Sequence, residues 1–177
     1  MKRVLGSGDF LAGIKAARLS RFGTGHVVEI VGIPVWRLQK FLGNRKFRLS
    51  SSGQLGSGYG SRRLFKETDI YRIAIADRLV RDGFTAKVVS SALAAIEDTD
   101  LLEWDEKGRM DPPDIAFHRG EDGPRIELCS AKRLPPAGEA DSPYYVLDAA
   151  GLVKKIDRRI WALENAKRSD EKRNKKS

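Results

Sequence analysis

Residues 30–66 read IVGIPVWRLQKFLGNRKFRLSSSGQLGSGYGSRRLFK, and no Asp or Glu interrupts them. Arg37, Lys40, Arg45, Lys46, Arg48, Arg62, Arg63 and Lys66 all fall in this stretch. Charges of one sign at this density repel one another in a packed interior, so the stretch is expected to face a polyanion. Its two ends differ in periodicity. From Pro34 to Leu42 the apolar residues Val35, Leu38, Phe41 and Leu42 recur with helical spacing. Lys46–Ser50 and Ser61–Phe65 alternate as short strands do, around a tip of small, turn-forming residues.

Upstream, Thr24 and Gly25 permit a helix start, and His26–Val31 reads as a short helix stopped by Gly32. Gly32-Ile33-Pro34 is then a tight turn, with Pro34 suited to the first turn of the next helix. Two short helices around a glycine turn, followed by a basic hairpin, are the outline of a winged helix-turn-helix. Helix 34–42 is expected to bury Leu38, Phe41 and Leu42 and to turn Trp36, Arg37 and Lys40 outward, as a recognition helix does in a major groove. Trp36 has a second reading, as an aromatic stapled onto the core. Residues 1–23 form a basic arm in which Asp9 is suited to cap one weak helix. His26 has no ligand partner in sequence and reads as a surface or cap residue.

The charge distribution agrees. Residues 1–66 hold 13 Lys/Arg against Asp9 and Glu29, a balance of +11; residues 67–177 hold 20 against 22, a balance of −2. Such asymmetry points to a nucleic-acid face on the first segment. Downstream, Ile70, Ile73, Ala74, Ala76, Leu79 and Val80 predict a helix over 67–82. Gly83 ends it, and Thr85 caps a second helix carrying Val88, Val89, Ala92, Leu93 and Ile96. These two form the base on which the helix-turn-helix packs.

Residues 24–97, 74 of 177, resemble the MerR-type winged helix-turn-helix. Gly32-Ile33 stands at that family's helix start, Leu38 at its leucine and Phe41 at its second tyrosine. Arg63 and Phe65 match the arginine and aromatic that close its wing, while Asp69-Ile70 and Gly83-Phe84-Thr85 match its later signatures. The departures are Gln39 for the recognition-helix arginine, Lys40 for the first tyrosine, a longer wing loop, and Lys66 for the serine cap. The resemblance implies a DNA-binding transcription regulator, although the chain does not continue into that family's one long dimerising helix. Its DNA contacts would be Trp36, Arg37, Gln39 and Lys40 on the helix, with Arg45, Lys46, Arg48, Tyr59, Arg62 and Arg63 on the wing (45–65).

Beyond the resemblance, residues 98–112 make an acidic connector. Ile115–Arg119 and Arg125–Ser130 read as a hairpin, and Tyr144–Leu147 as a third strand. Asp148 is placed to cap a helix over Ala149–Ala166 whose stripe is Val153, Ile156, Ile160 and Leu163. Residues 113–166 offer a thin core by themselves, so this module is expected to dimerise or bind an effector, a second chain covering the stripe. The tail 167–177 is charged and expected to lack structure.

Little points to catalysis. Asp114, Glu127 and Lys132 loosely follow the PD-(D/E)xK nuclease arrangement, but Ser130 stands where that pattern needs an acid. One cysteine, Cys129, excludes an internal disulfide and a multi-thiolate zinc site. The Ser/Gly tip lacks the strand-then-helix context of a phosphate loop. No apolar run approaches the 18 or so residues of a membrane span. The expectation is an α+β, cofactor-free, cytoplasmic, nucleoid-associated DNA binder. An architectural protein of the excisionase or packaging kind, and a small protein-binding adaptor, are the alternatives.

Overall fold

The computed structural model describes residues 22–45, 47, 49, 53–55, 62–97, 101, 114–118, 120, 124–129 and 143–174. The expected helix at Asp9, the acidic connector at 98–100 and 102–112, and most of the wing tip lie outside them. The chain is a mixture of helices and two small antiparallel sheets. In order come β1 (Phe22–Gly23), α1 (Thr24–Val31), α2 (Val35–Gly43), β2 (Gly53–Leu55), β3 (Arg62–Phe65), α3 (Glu67–Arg81) and α4 (Ala86–Ala94). A second set follows: β4 (Asp114–His118), β5 (Arg125–Cys129), β6 (Tyr145–Leu147) and α5 (Ala149–Asn174).

Helix α1 buries Val27 and Ile30 and ends where Gly32 takes φ of 76°, a left-handed conformation that costs a residue with a Cβ. The Gly32 N–H donates to Val28 O at 2.9 Å, closing the helix. Pro34 stands just outside α2 as its cap, not in its first turn, and its carbonyl accepts Arg37 N–H at 3.0 Å. On α2, Leu38 and Phe41 are buried.

The first sheet has the order β1-β3-β2. Strand β1 has no counterpart in the sequence reading. The partner of β3 also falls later than expected: Gly53, Gln54 and Leu55 pair with Leu64, Arg63 and Arg62. The reason lies in Phe47 and Leu49, which are buried; Phe47 packs edge-on against Phe41, ring centres 5.5 Å apart. Their side chains belong to the core, and strand pairing passes to Gly53–Leu55 beyond them.

Helix α3 is the centre of the molecule. Ile70, Tyr71, Ile73, Ala74, Ile75, Ala76 and Leu79 are all buried, and α1, α4 and α5 pack on it. Asp69 accepts the Lys66 backbone N–H at 2.8 Å. Lys66 has no acceptor to return, so only half of a capping box forms. Gly83, at φ of 92°, turns the chain into α4. The Arg72 guanidinium then donates to Leu93 O at 2.8 Å and Ile96 O at 2.5 Å, satisfying carbonyls at the end of α4.

The second sheet has the order β5-β4-β6, with Ile115 facing Leu128 on one side and Leu147 on the other. Asp148 caps α5 as its position suggested, accepting Gly151 N–H at 2.6 Å. Helix α5 runs well past Ala166, through Asn174, so the expected unstructured tail is in large part helical.

The largest difference from the sequence reading concerns this second half. Val153, Ile156 and Ile160 are buried within the chain, in one core continuous with Ile30, Leu38 and Ile73. Each such side chain stabilises the fold by about 1.5–3 kcal/mol at most. Polar bonds tie the halves together as well. Tyr71 donates its hydroxyl proton to Asp157, and Arg159 Nη1 donates to Ile30 O at 2.7 Å. Tyr145 donates to Asp82, and Phe84 packs at a tilt against Phe117 at 4.7 Å and edge-on against Tyr145 at 4.9 Å. Because α3 and α1 cover the α5 stripe, no second chain is needed to bury it.

Candidate nucleic-acid interface

Three features position α2. Gly32 reverses the chain, Leu38 and Phe41 anchor the inner side, and Arg159 of α5 holds the end of α1 beside the turn. The outer side of α2 is then left in solvent: Val35 is 47% exposed and Trp36 61%, and Gln39 and Lys40 are exposed beside them. Trp36 is therefore no core staple. Arg45 follows the helix, exposed, and Arg63 stands exposed on β3, the middle strand of the first sheet. Lys46, Arg48 and Tyr59 lie outside the described residues, as does the side chain of Arg62.

Arg37 departs from its expected place. The spacing put it outward with Trp36 and Lys40, but its guanidinium turns back across the Phe41 ring, 5.7 Å from the centroid. There its Nε lies 2.5 Å from Asp77 Oδ1. The other carboxylate oxygen of Asp77 takes Arg81 Nε at 2.8 Å. Asp77 is 8% exposed in its side chain, so an ion pair here is screened far less than one in open water. Arg37 is thus committed to the protein and withdrawn from the outer face. Asp77 is the residue that sequence reading missed. A signal existed: an acid at position 77 sits on the stripe of Ile70, Ile73 and Ala74, and a polar group on a buried face calls for a partner.

A second polar cluster joins the end of α3 to the second sheet. Arg78 Nε lies 2.8 Å from Asp82 Oδ2. The Tyr145 hydroxyl, with help from Arg78, holds the Asp82 carboxyl below its ordinary range, against the pull of burial. Burial and the bond to Asp82 push the Tyr145 phenol up. His26 sits edge-on to Phe22, and burial, then Lys167, lowers its pKa.

The remaining candidates lie in the second sheet. Asp114 and Glu127 lie on neighbouring strands, Asp114 opposite Cys129 and Glu127 opposite Ala116; Lys132 is outside the described residues. His118 Nε2 stands 3.4 Å from Glu127 Oε2. Burial, with Asp114 and Glu127, raises the Cys129 thiol pKa, which keeps it protonated. Among the described residues no group of three or more His, Cys, Asp or Glu is placed to hold a metal ion, and no helix is long and apolar enough to cross a membrane. A groove of about 400 Å³ runs between Phe47, Leu49 and the end of α4; Arg72 in its wall is engaged in capping that helix. No family model and no curated protein matches the chain.

Proposed function

We propose that this protein binds duplex DNA as a winged helix-turn-helix, with α2 entering the major groove and the β2–β3 hairpin lying along the flanking phosphates. The observation that carries the reading is the outer side of α2. A short helix, pinned on its inner side, presents Val35, Trp36, Gln39 and Lys40 to solvent from a segment without a single acid. Arg45, Arg63 and Lys66 are exposed alongside. Phosphate contacts give such a protein its affinity and register, and base-edge contacts its sequence specificity.

The role we favour is transcription regulation of the MerR-like kind, in a nucleoid-associated protein. One α2 spans a few base pairs, so two copies on a palindromic site would supply the specificity a regulator needs. Site length now carries the dimer by itself, since the α5 stripe is covered internally. That internal cover favours the alternative, an architectural protein bound as single copies in tandem. Recovery of genomic fragments on the purified chain, followed by footprinting, separates the two. A few palindromic sites support the regulator, and tandem arrays with bending support the architectural protein. Absence of footprints on every fragment at low salt overturns DNA binding itself.

A further inference from the structure

Resting on the DNA-binding reading above, we infer that Val35, Trp36 and Gln39 form one reading surface for A·T pairs, with the thymine methyl group as its apolar target. Residues three and four apart on a helix are neighbours, and Gln39 follows Trp36 by three and Val35 by four. The three side chains therefore form one contiguous patch on the outer side of α2, and all are exposed. Such an apolar pair is costly to leave in water at the edge of a cationic surface, and the partner that cationic surface attracts carries an apolar group of matching size. In the major groove the thymine C5-methyl is the apolar feature, and a glutamine amide is shaped to bond adenine N6 and N7 together. An A·T pair thus offers a partner to the amide and to the apolar pair at once.

The G·C alternative is weakened by the same geometry. Guanine O6 and N7 are best read by the planar fork of an arginine, and the arginine of this helix, Arg37, is bound to Asp77. Lys40 is a flexible point charge that reaches phosphate as readily as a base. The readers left in solvent favour A·T.

The test compares three duplexes by fluorescence anisotropy at low salt: an A·T-rich duplex, the same duplex with every dT replaced by dU, and a G·C-rich duplex. Replacing dT by dU removes only the methyl and keeps every hydrogen-bonding edge. The wild type should bind the dT duplex tightest and lose about fourfold per methyl contact on the dU duplex, from roughly 0.8 kcal/mol per buried methyl. Trp36→Ala and Val35→Ala should bind the dT and dU duplexes more nearly alike. Both positions are exposed, so the variants keep the fold, which circular dichroism checks. Arg37→Gln should leave the A·T over G·C preference in place. A wild type that binds duplexes but ignores the methyl overturns this inference and leaves DNA binding standing. So does an Arg37→Gln variant that loses the preference. A wild type that binds none of the three overturns the DNA-binding reading as well.

Discussion

Helices α2 and α5 are both amphipathic, yet they differ in which polar groups they turn back into the fold. Helix α5 buries Val153, Ile156 and Ile160, and then turns polar groups inward too: Asp157 accepts from Tyr71, and Arg159 reaches Ile30 O across 129 positions of sequence. Helix α2 also buries its apolar stripe, but leaves Trp36, Gln39 and Lys40 in solvent and turns only Arg37 back. A helix whose charges reach into its own fold acts as a scaffold. Helix α2 instead keeps its outer groups exposed within a stretch of sequence that holds no acid, which is what the proposed duplex contact requires.

The sharpest way to break this contrast is to put a charge into the scaffold helix. Ile156→Asp buries a carboxylate in the core shared by α5 and α3, at a cost above about 4 kcal/mol. Because that core is continuous, helical signal from the whole chain should disappear in a single urea transition at a much lower midpoint. Survival of a folded N-terminal half would show that residues 22–97 stand independently of α5.

Next in size is the contact that ties α5 to the turn before α2. Arg159→Met removes a charged donor from Ile30 O and should destabilise the fold by about 1.5–3 kcal/mol. Gly32→Ala should cost about 1–2 kcal/mol, since φ of 76° is strained for a residue with a Cβ; a new Cβ would also stand 3.1 Å from Arg159 Nη1. Urea midpoints read both. An Arg159→Met variant as stable as the wild type would show that α5 adds nothing to the positioning of the turn.

These contacts mark the limit of what the sequence discloses. The two central helices, the Gly83 turn, the Asp148 cap and the 115–130 hairpin follow from local signals, namely periodicity, a glycine and a capping acid. Strand β2 was displaced because Phe47 and Leu49 could satisfy either a strand alternation or the core, and only packing decides between them. Pairings such as Arg37 with Asp77 and Arg159 with Ile30 O leave no periodic trace, since their members are distant in sequence. The α5 stripe was legible, but what covers it was not. Of the outer groups of α2, Trp36 and Lys40 lie where helical spacing put them, and Gln39 is exposed beside them. Arg37 does not, because a buried carboxylate outcompetes water for its guanidinium.

On α2 itself the expected effects on stability are smaller. Lys40→Ala should change folding stability by no more than about 0.5 kcal/mol, as exposed substitutions generally do. If Lys40 contacts phosphate, the same variant should reduce the slope of log affinity against log salt by about 1. A large loss of stability would place Lys40 in the scaffold.

The smallest effect concerns pH. Asp82 is held below its ordinary pKa by Tyr145 and Arg78 in the folded chain. Its contribution is therefore present above the ordinary carboxylate range and lost as pH falls through the folded value. Tyr145→Phe should flatten the acid side of the stability profile slightly. An acid limb identical in both proteins would remove Asp82 from the account.

The central claim, that the α2 side of the molecule faces a polyanion, is tested most directly by the salt dependence of duplex binding. Lys40, Arg45, Lys46, Arg48, Arg62, Arg63 and Lys66 remain after Arg37 is discounted. If six or more of them meet phosphates, affinity for a random-sequence duplex should fall about 10³-fold or more between roughly 50 and 200 mM salt. An affinity that stays level across that range, or no binding at its low end, would contradict the assignment.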